Sequence, residues 1–368
     1  MKKIYIDKNL IIEKNQIVQN TIQNIKNTNI QVEFINNPKE IFDSYSKGNS
    51  LFKKNIIVLY KYNGKFLSSC PGSDGMVCCQ YFVINLGIGC IYDCHYCYLQ
   101  NFMNQPLITV FGNVEDALEE IYNKIYNKNF HFRIGTGEYS DSLALDPIFE
   151  ISKILIEFFS KVPNATLELK TKSNSVDHLL NLSHNKKTVV SWSLNPQKII
   201  DKIEPGTASL EERILAAKKV LKAGYKVGFH LDPMIYFDAW EESYKNLLDL
   251  VFDTIDTDRI AWISLGTFRY SPGQKEIMQK RFFSDTLTKE EMVVGNDGKF
   301  RYYKQIRYEM YSKIKEHIQK RDPKLFFYLC METQYMWEKI FYFVPESSKN
   351  LDLLFEKRRL YMDSLIQA

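Results

Sequence analysis

The sequence contains no run of 18 apolar residues, so no segment reads as a membrane-crossing helix. Its first residues, MKKIYIDKNLIIEKNQ, are too polar after the two lysines to form a secretory signal. A cytoplasmic protein with no membrane partner is expected. No large charge excess exists: 48 Lys and Arg stand against 44 Asp and Glu, a net +4. Any nucleic-acid contact must then come from a local patch and not from a global field. No Pro- or Ser-rich linker divides the 368 residues, and no repeat recurs beyond an alternation of strand and helix patterns. Cysteine is sparse. Seven residues, an odd number with three tightly clustered, suit a reducing compartment and a metal site better than a disulfide framework. Hydrophobic content of 45% and charged content of 25% are ordinary for a globular chain.

The clustered cysteines are Cys90, Cys94 and Cys97, in the run Cys-Ile-Tyr-Asp-Cys-His-Tyr-Cys. Three such thiolates can hold three irons of a cubane [4Fe-4S] cluster, which leaves the fourth iron open to a small molecule. Structural zinc wants four ligands, usually two separated CxxC pairs, and no second pair exists. A thioredoxin-type site wants a single CxxC, and the first cysteine would be idle. The spacing resembles the signature of the radical S-adenosylmethionine (SAM) superfamily, in which an aromatic residue, here Tyr96, commonly precedes the last cysteine. The resemblance implies that SAM chelates the open iron and that a 5′-deoxyadenosyl radical forms.

Residues 1–65 read as a short αβ lead-in. Strands are then expected at 80–85, 130–134, 166–170, 188–194, 226–231 and 260–265. Helices are expected at 114–128, 146–162, 175–182 with Ser175 as N-cap, 210–221 ending at Gly224, and 240–251. Strand–helix alternation predicts an α/β fold with a parallel sheet and right-handed crossovers. The resemblance narrows this to a partial (β/α)6 radical SAM barrel, with its reactive residues at the C-terminal strand ends. The expected organisation is a lead-in over 1–75, the barrel over 76–270 and a C-terminal extension over 271–368.

Several segments resemble spore photoproduct lyase and its relatives over roughly 75–270: Cys94-His-Tyr-Cys-Tyr-Leu-Gln100, Thr171-Lys172 followed by Val176-Asp-His-Leu-Leu180, Ser193-Leu-Asn195, and Ile203-Glu-Pro-Gly-Thr207. The resemblance implies that Cys90, Cys94 and Cys97 hold the cluster. Tyr98 would sit beside SAM and relay a hydrogen atom, with Tyr96 assisting. Lys172 would contact the SAM carboxylate and Ser193 would hydrogen-bond SAM. Gly135-Thr-Gly-Glu138 resembles the superfamily's Gly-Gly-Glu motif, with Gly135 and Gly137 allowing close backbone approach and Glu138 meeting the SAM ammonium. Ser140 and Asp141 align with a Ser-Asp pair of the family. Each role has a bland rival: the tyrosines pack, Lys172 is solvated, and the glycines serve a tight turn. Glu-Pro-Gly-Thr reads as a helix stop and turn. His230 and Asp232, toward the end of the fifth strand, read equally as site or core.

One departure stands out. Where the well-known lyases carry a cysteine that donates a hydrogen atom to the substrate radical, two residues before the Ser-Asp pair, this chain has Glu138. Either another thiol serves, Cys78 or Cys79 with Cys70 nearby, or the reaction differs. Cys330 reads as a buried small hydrophobe. On the substrate side, residues 299–321 interleave basic and aromatic side chains, and Lys304, Arg307 and Tyr308 echo the lyase segment that enters DNA beside the lesion. An amphipathic surface helix is the rival reading. The implied partners are UV-damaged DNA carrying a thymine lesion and an electron donor such as flavodoxin or ferredoxin. The implied activity is reversal of 5-thyminyl-5,6-dihydrothymine. A radical SAM enzyme with a peptide or small-metabolite substrate is the alternative. A non-enzymatic iron–sulfur or zinc nucleic-acid-binding module would leave the SAM-side segments idle.

Overall fold

The computed structural model describes residues 1–46, 52–73, 75–79, 81–283, 287–345 and 348–365. Gln80, the first residue of one expected strand, lies outside them. The chain divides into two compact units: one of residues 1–69, 81–93 and 102–188, the other of 70–80, 94–101 and 189–368.

Among its described residues the first unit carries nine strands: β1 (Lys3–Asp7), β2 (Gln31–Ile35), β3 (Lys53–Tyr60), β4 (Leu67–Ser69), β5 (Phe82–Ile84), β6 (Gly87–Ile88), β7 (Leu107–Phe111), β8 (Phe132–Thr136) and β9 (Ala165–Thr171). A five-stranded sheet runs β2-β1-β3-β7-β6 and is parallel except for β6. Its strands β1 to β3 come from the lead-in, and β6 and β7 come from beyond it. β5, β8 and β9 pair in parallel, with β4 antiparallel on β5. All but one residue of β9 are buried. Such near-continuous burial is the mark of a parallel strand covered on both faces.

The second unit carries β10 (Thr188–Ser193, whose first residue belongs to the other unit), β11 (Lys226–Met234), β12 (Ile260–Thr267), β13 (Arg269–Tyr270), β14 (Val293–Val294), β15 (Phe300–Arg301) and β16 (Phe327–Leu329). β10, β11, β12 and β16 pair in parallel. Every residue of β12 is buried. A small antiparallel sheet runs β13-β15-β14. The helix Leu210–Lys222 starts in a capping box between Ser209 and Glu212 and carries Lys219 and Lys222 in its last turn. It stops before Gly224 at φ 92°.

All six expected barrel strands form. Two helices differ from expectation. The segment 146–162 is two helices, Asp146–Phe149 and Ile151–Ser160, broken where Glu150 takes φ 52°. The segment 175–182 holds only a 3-10 turn, Asp177–Leu179, and Ser175 caps nothing. The Ser173 Oγ accepts from the Ser175 backbone N–H at 3.0 Å, and the Thr171 Oγ1 accepts from that of Ser173 at 2.9 Å. These local side-chain-to-backbone bonds offer the segment a turn conformation in place of a helix.

Candidate radical SAM site

In the first unit, the loop after β8 is fastened to the end of β9. Asp141 does most of this. Its Oδ1 accepts from the backbone of Leu143 and Ala144 at 3.0 and 2.9 Å and from the Thr171 hydroxyl at 2.6 Å. Its Oδ2 accepts from the Lys172 backbone N–H at 2.7 Å. One carboxylate thereby ties the backbone at 143–144 to Thr171 and Lys172. Ser142 adds a bond to the Thr136 hydroxyl at 2.7 Å and accepts from the Lys170 N–H at 3.0 Å.

Gly137 has φ 93°, and a Cβ there would stand 2.8 Å from the Lys170 carbonyl and 2.9 Å from Ser142 Oγ. A Cβ on Gly135 would stand 2.7 Å from the Tyr81 ring. Gly137 sits at a turn that a side chain would strain, whereas Gly135 lies within β8, where a side chain would meet the Tyr81 ring. Glu138, Ser140 and Lys172 are half-buried beside them.

Cys90 opens the cluster loop in this unit. The backbone N–H of Gly89 donates to the Tyr139 carbonyl at 2.9 Å, tying the loop to the one after β8. Lys54 bonds the Tyr92 carbonyl and pairs with Asp93 at 3.0 Å. Sequence reading missed Lys54, which carries no motif of its own. The Tyr92 N–H donates to the Cys90 sulfur at 3.4 Å, the kind of bond that tunes cluster sulfurs.

The rest of the cluster loop belongs to the second unit. Cys94 is buried, Cys97 half-buried and Tyr98 36% exposed. The Tyr96 hydroxyl hydrogen-bonds Glu204. Desolvation first, then the Glu204 charge, push this phenol well above its usual range, so it stays a neutral donor. Glu204 is 1% exposed and also accepts from Asn195 at 2.9 Å and from Arg213 at 2.7 Å. Arg213, fully buried, donates onward to the carbonyls of Ser193 and Ala208. The Tyr96 hydroxyl is thus engaged as a fastener of the loop. Ser193 lies buried at the end of β10. The Glu-Pro-Gly-Thr segment does stop the helix Gln197–Ile203, and its carboxylate also anchors the cluster loop, which the turn reading did not see. Gln274 Nε2 donates to the Tyr96 carbonyl at 3.1 Å, and Arg281 donates to Gln100 at 2.8 Å.

The donor set fits an iron–sulfur cluster. Cys90, Cys94 and Cys97 form no disulfide. Among the described residues no three His, Cys, Asp or Glu side chains converge on one ion, and a cubane asks for something different, one thiolate on each of three irons.

Elsewhere in the second unit, His230 is buried within β11, and Asp232 pairs with Arg269 at 3.1 Å. Cys78 and Cys79 are 9% and 6% exposed. Lys304 and Tyr308 are exposed on the helix Lys304–Arg321, and the Lys304 ammonium lies 4.3 Å from the Tyr335 ring centroid. Arg307 corrects the expectation of a DNA contact. It is 7% exposed and bonds Glu332 and the Tyr302 carbonyl. A guanidinium spent on a buried carboxylate does not face a phosphate.

Parallel α/β pairing, with a three-thiol loop after β5 and fixed polar groups at strand ends, is the arrangement expected of a radical SAM enzyme. The family model described as spore photoproduct lyase matches residues 8–344. The spore photoproduct lyase of Bacillus subtilis is 32% identical over 273 residues, 72% of this chain and 76% of that protein. That of a Geobacillus species is 31% identical over 244 residues, 65% and 69% respectively. A solved spore photoproduct lyase variant with bound AdoMet and dinucleoside spore photoproduct has a TM-score of 0.76 at 24% identity, covering 90% of this chain and 98% of that one. The chain belongs to the spore photoproduct lyase family, radical SAM lyases on an α/β partial barrel.

Proposed function

We propose that this protein reverts 5-thyminyl-5,6-dihydrothymine in DNA to two thymines, with a [4Fe-4S] cluster and SAM as cofactors. The observation that carries the reading is the pair of anchored strand-end frames: Asp141 holds 140–144 against 171–172, and Glu204 holds the Cys94–Cys97 loop. Cys90, Cys94 and Cys97 hold the cluster. Glu138, Ser140, Lys172 and Ser193, with Gly135 and Gly137 giving close backbone approach, take up SAM. When bound, these cofactors supply a 5′-deoxyadenosyl radical that takes a hydrogen atom from C6 of the lesion.

The chain's own residues do the rest. Rigid frames keep the reacting groups in register, which lowers the entropic part of the barrier. Tyr98, exposed on the cluster loop, relays a hydrogen atom, and a thiol of the Cys78–Cys79 loop quenches the thymine radical. A damaged step is cheap to unstack, so the lesion can be flipped from the duplex. Lys304 meets phosphate and Tyr308 stacks, helped by exposed Tyr303 and Tyr335. In this reading residues 76–270 do the chemistry and 271–368 approach DNA. Electrons come from flavodoxin or ferredoxin, and the setting is the cytoplasm. No helix among the described residues is long and apolar enough to cross a membrane.

The test is Cys97→Ala after anaerobic reconstitution. It should lose cluster absorbance and all 5′-deoxyadenosine formation from SAM, while the wild type forms both. Retained SAM cleavage in the variant would overturn the assignment.

A further inference from the structure

The small antiparallel sheet of the second unit gathers an excess of positive charge. Arg269 of β13 stands directly opposite Arg301 of β15, and Tyr270 stands opposite Phe300. The Tyr270 and Phe300 rings stack with centroids 5.1 Å apart, which marks one face of the pair. Side chains alternate along a strand, and directly paired residues share a face. Arg269 and Arg301 therefore occupy the other face. Lys299 precedes Arg301 by two residues, and its carbonyl accepts from the Gly295 N–H at 2.8 Å, which continues the hairpin. Its side chain falls with the two arginines. The contacts agree: Arg301 donates to the Met331 carbonyl at 3.1 Å, and the Lys299 ammonium lies 3.9 Å from the Met331 sulfur.

These cations stand at the C-terminal ends of the parallel strands. Arg269 donates to both oxygens of Asp232, near the end of β11, at 3.1 and 3.3 Å. Met331 follows Cys330, whose N–H donates to the Leu265 carbonyl at 2.8 Å, so Met331 lies just past the end of β16 and close to that of β12. Ligands of such sheets bind on this side. Three cations here meet two carboxylates. Asp232 takes Arg269, and Asp297 takes Arg301 at 2.6 Å. The half-buried Lys299 is left over. Among the described residues its ammonium meets only the Met331 thioether, a weak acceptor. Burial first, and then the charge of Arg269, pull its pKa below the usual lysine range. An arriving anion would offset both effects.

We propose that Lys299, backed by Arg269, takes a phosphodiester oxygen of the lesion strand. The inference rests on the repair reading above and deepens it. Thymine bases and their sugars are neutral at neutral pH, so the phosphodiesters are the anions that such a substrate brings. Each carries a single negative charge, which equals the excess at Lys299. A lysine ammonium is a compact point charge with three donors, and its bond to a phosphate oxygen is charge-assisted and short. Asp232 and Asp297 hold the two arginines in place and neutralise them, so the charge on offer is that of Lys299. This contact fixes the backbone of the lesion at the strand ends, apart from any phosphate met by Lys304 on its helix.

Two measurements test it. Reconstituted enzyme is given the lesion in three forms: a dinucleoside without phosphate, a dinucleotide with its linking phosphodiester, and an oligonucleotide. Wild type should gain about ten-fold in kcat/KM, mostly through KM, at the step that adds the contacted phosphate. Lys299→Met should lose most of that gain, and Lys299→Arg should keep part of it. The gain is a ratio within one variant, so a loss of folded protein cancels. A gain that appears with the dinucleotide assigns the linking phosphodiester, and one that appears only with the oligonucleotide assigns a flanking one. A wild type that gains nothing from phosphate, or a Lys299→Met variant that keeps the full gain, would overturn the proposal. Anisotropy titration of the lesion oligonucleotide across salt concentrations is the second readout. Lys299→Met should lower the slope of log affinity against log salt by about one, and an unchanged slope would also overturn the contact. Wild-type enzyme that cleaves SAM and leaves every form of the lesion intact would instead overturn the repair reading. The salt slope still judges Lys299 in that case.

Discussion

Replacing Glu204 with alanine tests how the cluster loop is held. The change removes the partner of Arg213, whose side chain is 0% exposed, as is that of Glu204. It also strips an acceptor from Asn195 and from the Tyr96 hydroxyl. Removing one member of a buried ion pair costs about 3–5 kcal/mol, because the other charge stays buried and unpaired. That is a large share of the roughly 5–15 kcal/mol that holds a typical folded protein together. Glu204→Gln should cost less, since it keeps the shape and one acceptor. All four tryptophans, Trp192, Trp240, Trp262 and Trp337, lie in the second unit, so denaturant unfolding followed by tryptophan fluorescence reads the unit that contains the pair. Iron content after reconstitution and amide exchange over 94–101 report the loop itself, and both should show loosening. An alanine variant within about 1 kcal/mol of wild type, with full iron content, would refute the reasoning.

Gly137→Ala should lose SAM binding and about 1–3 kcal/mol of stability, since the Cβ meets the Lys170 carbonyl at 2.8 Å with φ at 93°; calorimetric SAM titration of the variant checks it. Asp297 pairs with Arg301 at 2.6 Å. Burial opposes its ionisation, but the bond and charge of Arg301 outweigh burial and hold its pKa down to about 2. The folded value is depressed, so this stabilisation is present above about pH 4 and is lost as pH falls toward 2; the pH dependence of unfolding in Asp297→Asn should flatten over that window. Arg307→Ala should destabilise by about 3–5 kcal/mol and leave the salt dependence of DNA binding unchanged. Lys304→Ala should do the reverse, lowering the salt slope by about one.

The fold was legible because its strands are apolar runs with helices between them, and β9 through β12 read straight off Ala165–Thr171 to Ile260–Thr267. The run of Cys90, Cys94 and Cys97 stands out in the sequence because ligand spacing is a local property. What stayed hidden was long-range. Nothing local to Glu204 says that its carboxylate meets Tyr96, 108 positions earlier. Arg307 sits in a basic, aromatic run, and only the fold brings Glu332 to it. Cys330 read as a small hydrophobe because its neighbours in sequence are apolar. Its neighbours in space, Asp232, Arg269 and Cys79, come from three other segments. Ser175 failed as a cap because Thr171 and Ser173 hold the segment in local turns and only a 3-10 turn, Asp177–Leu179, follows.

The central claim is lesion repair by radical chemistry. The most direct measurement is thymine recovered from an oligonucleotide carrying 5-thyminyl-5,6-dihydrothymine, with reconstituted enzyme, dithionite and SAM under anaerobic conditions. Lesion-dependent recovery that requires SAM and is abolished by Cys97→Ala is the expected result. Abundant 5′-deoxyadenosine with the lesion untouched would contradict it.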